Sequence, residues 1–200
     1  AASNQPFSLI FWGPPGTGKT TLARILSRKF KADYFELSAI SSGVKQVREI
    51  LQKGKATFES GRRSILFIDE IHRFTKSQQD ALLHAVEEGS ITLMGATTEN
   101  PSFEVISPLL SRCRVLRLYP LSDEELEYVL IRAMKEDILL SQRNLALEAE
   151  AKSLLLESCG GDARKMLNTL ELAVSLHSDE NPKLTKTDIR EALHQKHVIY

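Results

Sequence analysis

One stretch constrains this chain more than any other: Gly13-Pro14-Pro15-Gly16-Thr17-Gly18-Lys19-Thr20. It fits G-x-x-x-x-G-K-[ST], a pattern that has physical content only between a strand and a helix. Both flanks are legible. Leu9-Ile10-Phe11-Trp12 is a short apolar run suited to a buried strand, and Thr21-Leu22-Ala23-Arg24-Ile25-Leu26 reads as helix. The glycines let backbone N–H groups approach phosphate oxygens without interference from Cβ, and the helix start adds unpaired donors and the positive end of its dipole. Residues Gly13 to Thr21 are therefore the expected triphosphate cradle. Lys19 is expected to reach the β- and γ-phosphates, and Thr20 to ligate Mg²⁺.

A second run supplies the carboxylates. Ser64-Ile65-Leu66-Phe67-Ile68 is continuously apolar and ends on Asp69-Glu70, as a buried parallel strand delivering two acids at its carboxyl end would. Asp69 is expected to hold Mg²⁺ through its water shell, and Glu70 to orient and polarise the water that attacks the γ-phosphate. Further strands are expected at Tyr34–Leu37, Ile91–Ala96 and Val115–Leu118, with helices from Val44 to about Phe58 and from Gln78 to Glu88. A hydroxyl of Thr97 or Thr98, at the end of the fourth strand, is placed to reach the same phosphate; spacing does not decide which. Considered alone, Thr97-Thr98-Glu99-Asn100-Pro101 also suits a turn.

Five strands alternating with helices predict an α/β fold, an αβα sandwich on a five-stranded parallel sheet. Tyr119-Pro120 ends the alternation, and the remainder is helical in character, starting with the N-cap and acidic first turn of Ser122-Asp123-Glu124-Glu125. The expected division is a nucleotide-binding domain over 1–119 and a small all-α lid over 120–200. Later helices are expected over Leu147–Ser158, Ala163–Leu176 and Thr185 to about His194, with a polar linker at Ser178–Pro182.

Composition narrows the partners. Among 200 residues, 26 Lys and Arg balance 26 Asp and Glu, which argues against bulk electrostatic coating of nucleic acid and leaves room for a local basic patch. Two cysteines, Cys113 and Cys159, make neither a disulfide framework nor a zinc spacing, which suits a reducing, cytoplasmic setting. No apolar run approaches the length of a membrane span. The chain opens without Met almost on its first strand and closes on the apolar Val198-Ile199-Tyr200, so it reads as a piece of something longer.

The cradle, the carboxylate pair, Ser111-Arg112-Cys113 and Gly161-Asp162-Ala163-Arg164 together resemble an AAA+ ATPase, a P-loop NTPase, of the clamp-loader type. Asp69-Glu70-Ile71-His72-Arg73-Phe74 with Lys76-Ser77-Gln78-Gln79-Asp80, and Gly95-Ala96-Thr97-Thr98-Glu99-Asn100-Pro101-Ser102-Phe103, resemble the RarA/MgsA family of replication-associated recombination proteins and its relative, the Werner helicase-interacting protein. The resemblance runs from about Leu9 to the end, and it implies ATP, bound with Mg²⁺, as the nucleotide. It implies that Arg112 is an arginine finger inserted into a neighbouring subunit's site, that Arg164 is a nucleotide-touching sensor on the lid, and that Thr97 or Thr98 is the other sensor. It also implies a homo-oligomer in the longer protein, with this piece monomeric, and DNA as partner at stalled or damaged replication forks. Nucleoid association and fork proteins such as single-stranded-DNA-binding protein follow from the same resemblance. Two parts of the family pattern are missing from these residues: the adenine-holding segment before the first strand and the tetramer-forming C-terminal region. Lys45, Arg48, Arg73 and Lys76 sit on segments that could face a DNA channel and contact phosphates, or simply form solvated faces.

Three rival readings remain. Asp69-Glu70-Ile71-His72 has the D-E-x-H form of helicases, which need a second α/β lobe that the sequence after Pro120 does not offer; His72 otherwise reads as a helix-start residue. A nucleotide-gated assembly module with slow hydrolysis, and a Holliday-junction branch-migration motor sharing Ala96-Thr97-Thr98, are the others.

Overall fold

The computed structural model describes residues 7–141, 144–177 and 182–198. Most of the linker at Ser178–Pro182 and the last two residues, Ile199 and Tyr200, lie outside them. Two compact units are present: residues 1–13 with 18–118, and residues 14–17 with 119–200.

The first unit is built on five strands: β1 (Leu9–Trp12), β2 (Asp33–Ser38), β3 (Ser64–Asp69), β4 (Thr92–Thr97) and β5 (Arg114–Arg117). Their order is β2-β3-β4-β1-β5, and every pairing is parallel. Crossovers are made by α1 (Lys19–Phe30), α2 (Val44–Glu59), α3 (Lys76–Glu87) and two single-turn helices, α4 (Pro101–Glu104) and α5 (Ser107–Leu110). The apolar run of β3 is continuous because both faces of the sheet are covered. Ile65 and Phe67 pack with Phe11, Met94 and Ala23 of α1, while Leu66 and Ile68 pack with Ile10, Leu93, Val47 of α2 and Leu82 of α3. That alternation makes the three layers, and it sets all the strand carboxyl ends along one edge.

β5 is an edge strand and behaves as one. All four of its residues are exposed, Val115 and Leu116 among them. Its arginines lie over aromatic rings, Arg114 at 4.7 Å from the Phe7 centroid and Arg117 at 4.9 Å from that of Trp12.

The second unit holds α6 (Asp123–Glu136), α7 (Ile138–Ser141), α8 (Ala149–Cys159), α9 (Ala163–Ser175) and α10 (Lys186–Val198) around its own core of Leu126, Leu130, Leu155, Met166, Leu170 and Ile189. It is helical as expected, with one addition. Two-residue strands β6 (Ala146–Leu147) and β7 (Lys183–Leu184) pair in parallel, too short to leave a periodic signal in sequence. α6 starts on the anticipated capping box, the Ser122 hydroxyl accepting from Glu125 N at 3.3 Å while the Glu125 carboxylate accepts from Ser122 N at 2.9 Å. No helix among the described residues is long and apolar enough to cross a membrane.

Candidate nucleotide site

β1 ends at Trp12, and the chain turns sharply. Gly13 N donates to Thr97 O of β4 at 3.1 Å, and a Cβ on Gly13 would lie 2.3 Å from Leu118 O, so only glycine fits there. Gly18 caps α1 with φ 85°, left-handed backbone that other residues adopt at a cost. Lys19, Thr20 and Thr21 then form the first turn of α1. Lys19 is buried, and its ammonium donates to Gly13 O at 2.9 Å. Thr20 is half-buried and Thr21 exposed. Pro14, Pro15, Gly16 and Thr17 group with the second unit, where Thr17 Oγ1 donates to Pro14 O at 3.0 Å and Gly16 O accepts from Ala163 N at 3.3 Å.

Two strands from β1, β3 delivers Asp69 as its last residue and Glu70 just beyond. Glu70 has φ 54°, a left-handed conformation that costs a non-glycine residue roughly 1–3 kcal/mol and persists where surrounding structure enforces it. The enforcement is visible. Ile71 is fully buried, Arg73 N donates to Glu70 O at 2.8 Å, and Phe74 N donates to Ile71 O at 3.1 Å. Ile71 finds room because β4 carries Gly95 beside it; a Cβ there would sit 3.0 Å from Ile71 Cδ1 and 2.8 Å from Ile10 Cδ1.

The two threonines at the end of β4 separate by environment. Thr97 is fully buried, and its hydroxyl donates to Glu99 O at 3.2 Å, accepts from Glu99 N at 3.0 Å and lies 3.0 Å from His72 Nδ1. Thr98 is half-buried, with its hydroxyl 3.5 Å from Glu70 Oε2. His72 Nδ1 lies 3.3 Å from the same carboxylate oxygen. The cluster thus binds Glu70, His72, Thr97 and Thr98 together, and the Gly13–Thr97 bond ties it to the start of the cradle.

Gln79 was not singled out by sequence, yet it braces this edge. Its buried amide donates to Phe74 O at 3.0 Å and Glu104 O at 3.1 Å and accepts from Ile106 N at 2.9 Å, joining the turn after β3 to the segment after β4. Gln78 completes a capping box with Thr75 at the start of α3. Neither role has a signature beyond the T-x-x-Q spacing.

Arg112 lies at the other end of the sheet. It lines an open cavity of about 930 Å³ together with Ser8, Ser64 and Thr92, which stand at the amino ends of β1, β3 and β4. Its guanidinium donates to Pro108 O at 2.9 Å and pairs with Glu87 at 2.5 Å. At roughly 3.3 Å per residue, a six-residue strand puts it about 20 Å from the acids that β3 delivers. In the second unit Arg164 is exposed in the first turn of α9, whose N-cap Asp162 accepts from Lys165 N at 2.9 Å.

Lys45, Arg48, Arg73 and Lys76 are all exposed beyond the carboxyl ends of the neighbouring strands β2 and β3. Phe103, beyond β4, is 85% exposed. No cluster of three or more His, Cys, Asp or Glu suited to holding a metal occurs among the described residues. The Asp69 carboxylate and the Thr20 hydroxyl are oxygen donors of the kind Mg²⁺ takes, one or two from protein beside phosphates and water.

A parallel sheet in this order, with a glycine-lysine turn between β1 and α1 and an Asp-Glu pair two strands away, defines a P-loop nucleoside triphosphatase. Residues 9–121 match the ATPase family associated with various cellular activities (AAA), and residues 141–200 match the AAA C-terminal domain. The chain belongs to this family, in the group of replication-associated recombination protein A and WRNIP1. It is 50% identical over 170 residues to replication-associated recombination protein A of Escherichia coli (strain K12), covering 84% of this chain and 38% of that protein. It is 44% identical over 190 residues to ATPase WRNIP1 of Dictyostelium discoideum, covering 95% of this chain and 21% of that protein. Among solved structures, the Thermotoga maritima RuvB Holliday junction branch migration motor superposes with a TM-score of 0.72 at 25% identity, over 94% of this chain and 61% of that one. The chain therefore spans well under half the length of these curated relatives.

Proposed function

We propose that this chain is the ATP-hydrolysing part of a protein that remodels DNA at stalled or damaged replication forks. The observation that carries the ATPase half is the Glu70 carboxylate, held at the end of β3 by the Thr98 hydroxyl and the His72 ring and linked through Thr97 to the cradle. In this reading Gly13–Thr21 hold the triphosphate, Lys19 exchanges its bond to Gly13 O for phosphate oxygens, and Thr20 and Asp69 hold Mg²⁺. The metal supplies charge neutralisation on the phosphates. Glu70 orients the attacking water and takes up its proton, and Thr98 rather than Thr97 senses the γ-phosphate, because the Thr97 hydroxyl is already committed to Glu99 and His72. Arg164 is assigned to the nucleotide as second sensor.

Arg112 is assigned to a neighbour's site. Its place at the amino end of the sheet, a strand's length from its own Glu70, supports action in trans, so turnover requires an oligomer. DNA is assigned to Lys45, Arg48, Arg73 and Lys76 as phosphate contacts without base readout. The relatives' names support replication-associated recombination as the setting.

The test is ATP hydrolysis by the full-length protein with single-stranded, double-stranded and forked or gapped DNA at low and moderate salt. Stimulation by ends or forks that fades as salt rises is the expected result. A slow rate that no DNA alters would replace remodelling by a nucleotide-gated partner-binding switch.

A further inference from the structure

We propose that His72 is a positioning residue for hydrolysis: its Nδ1–H, shared between Thr97 and Glu70, fixes the Glu70 carboxylate in the orientation that water activation needs. The inference rests on Glu70 being the water-orienting group and goes beyond it by naming what holds that group.

Proton counting places the hydrogen. The Thr97 hydroxyl has one proton, which it donates to Glu99 O at 3.2 Å, and two lone pairs, one of which accepts from Glu99 N at 3.0 Å. What remains for His72 Nδ1, 3.0 Å away, is a lone pair, so Nδ1 is the protonated nitrogen. The same N–H faces Glu70 Oε2 at 3.3 Å. The opposite tautomer would set a nitrogen lone pair against a carboxylate oxygen, which is repulsive. Thr97 therefore fixes the histidine tautomer, and the histidine in turn presents a donor to the carboxylate.

Glu70 needs such a holder. Its side chain has three rotatable bonds, it leaves a left-handed backbone, and its other contact, with Thr98 Oγ1, is long at 3.5 Å. His72 has little freedom of its own. Its side chain is 9% exposed, and it sits in a three-residue turn pinned by the buried Ile71. A preorganised donor on a fixed turn keeps the carboxylate from swinging into solvent between turnovers.

The experiment compares His72→Phe, which keeps a flat ring without the donor, with His72→Asn, whose amide can restore a donor near the Nδ1 position. Steady-state ATP hydrolysis by the full-length protein with Mg²⁺ and stimulating DNA, and ATP affinity by a fluorescent analogue, are measured for each. His72→Phe is expected to lower kcat roughly 10- to 100-fold, the equivalent of one hydrogen bond to a charged group, with ATP affinity within about twofold. His72→Asn is expected to recover most of that loss, and adding His72→Phe to Glu70→Gln to cost nothing further. Should the Phe variant not fold, His72→Ala against His72→Asn reads the same difference. A kcat within about twofold of wild type in the donor-less variant, a loss confined to KM, or no recovery by Asn would each overturn the proposal. Wild-type turnover by Glu70→Gln alone would instead overturn the reading of Glu70, so the two failures are distinguishable.

Discussion

Thr97→Val should destabilise the first unit while Thr98→Val should not, although the two residues are neighbours of the same type. Valine is isosteric with threonine, so the change removes polar interactions and no volume. At position 97 it removes the hydroxyl's bonds with Glu99 N at 3.0 Å, Glu99 O at 3.2 Å and His72 Nδ1 at 3.0 Å. Glu99 is exposed, and water can replace the hydroxyl there at small net cost. The His72 side chain is 9% exposed, and its donor would be left to a single longer approach to Glu70. A hydrogen bond contributes roughly 0.5–1.5 kcal/mol net, and because the His72 donor keeps Glu70 as a longer partner, losing the bonds to Glu99 and His72 gives about 1–3 kcal/mol for the substitution. At position 98 valine removes a long, 3.5 Å approach of the hydroxyl to Glu70, and the expected change is within about 0.5 kcal/mol. Trp12 is the only tryptophan of the chain and lies on β1, so its fluorescence during urea unfolding reports this unit. With a slope of about 2 kcal/mol per molar urea, the midpoint of Thr97→Val should fall by about 0.5–1.5 M. ATP turnover should separate them differently: Thr98→Val should lower kcat at unchanged stability, whereas Thr97→Val, which also frees the His72 ring that faces Glu70, should lower kcat and stability together. Equal midpoints for the two variants, or a larger loss at Thr98, would refute the assignment of one threonine to structure and the other to the nucleotide.

Other substitutions follow from the same geometry. Lys19→Ala should abolish or strongly weaken nucleotide binding, checked with a fluorescent ATP analogue. Arg112→Ala should bind ATP normally and change stability by less than about 1 kcal/mol, since its pair with Glu87 is solvent-exposed, yet fail to hydrolyse ATP as an oligomer. Mixing Arg112→Ala with Glu70→Gln should restore activity at those interfaces where an intact finger meets an intact Glu70; normal hydrolysis by Arg112→Ala alone would remove the trans mechanism. Burial pushes the Cys113 thiol up to about 11, so at pH 8 it should resist alkylation in the folded protein and react once unfolded. Because its folded value lies above the ordinary thiol value of 9.0, the group favours the folded state below pH 9 and that contribution is lost as pH rises towards 11.

The sheet was legible because its strands are buried on both faces: a run such as Ile65-Leu66-Phe67-Ile68 admits few other readings. The cradle was legible because glycine and lysine positions there answer to backbone geometry and charge. β5 was found, but its exposure was not, since the residues of an edge strand and those of a central strand can look alike over four positions. β6 and β7 are too short to carry a period. The proposed choice of Thr98 over Thr97 lay beyond sequence because it rests on which hydroxyl the turn at Glu99 and the ring of His72 already occupy. Likewise, Gly95 and Gln79 act on residues that are distant in sequence, Gly95 by making room for Ile71 and Gln79 by bonding across to residues 104 and 106. Such roles need the fold before they can be seen.

The most direct test of the central claim is paired measurement of ATP binding and ATP hydrolysis in Glu70→Gln. The amide keeps the shape of the carboxylate but cannot take up a proton from water. Wild-type affinity for ATP with turnover reduced to background is the expected result; hydrolysis at the wild-type rate would show that Glu70 is not the group that activates water.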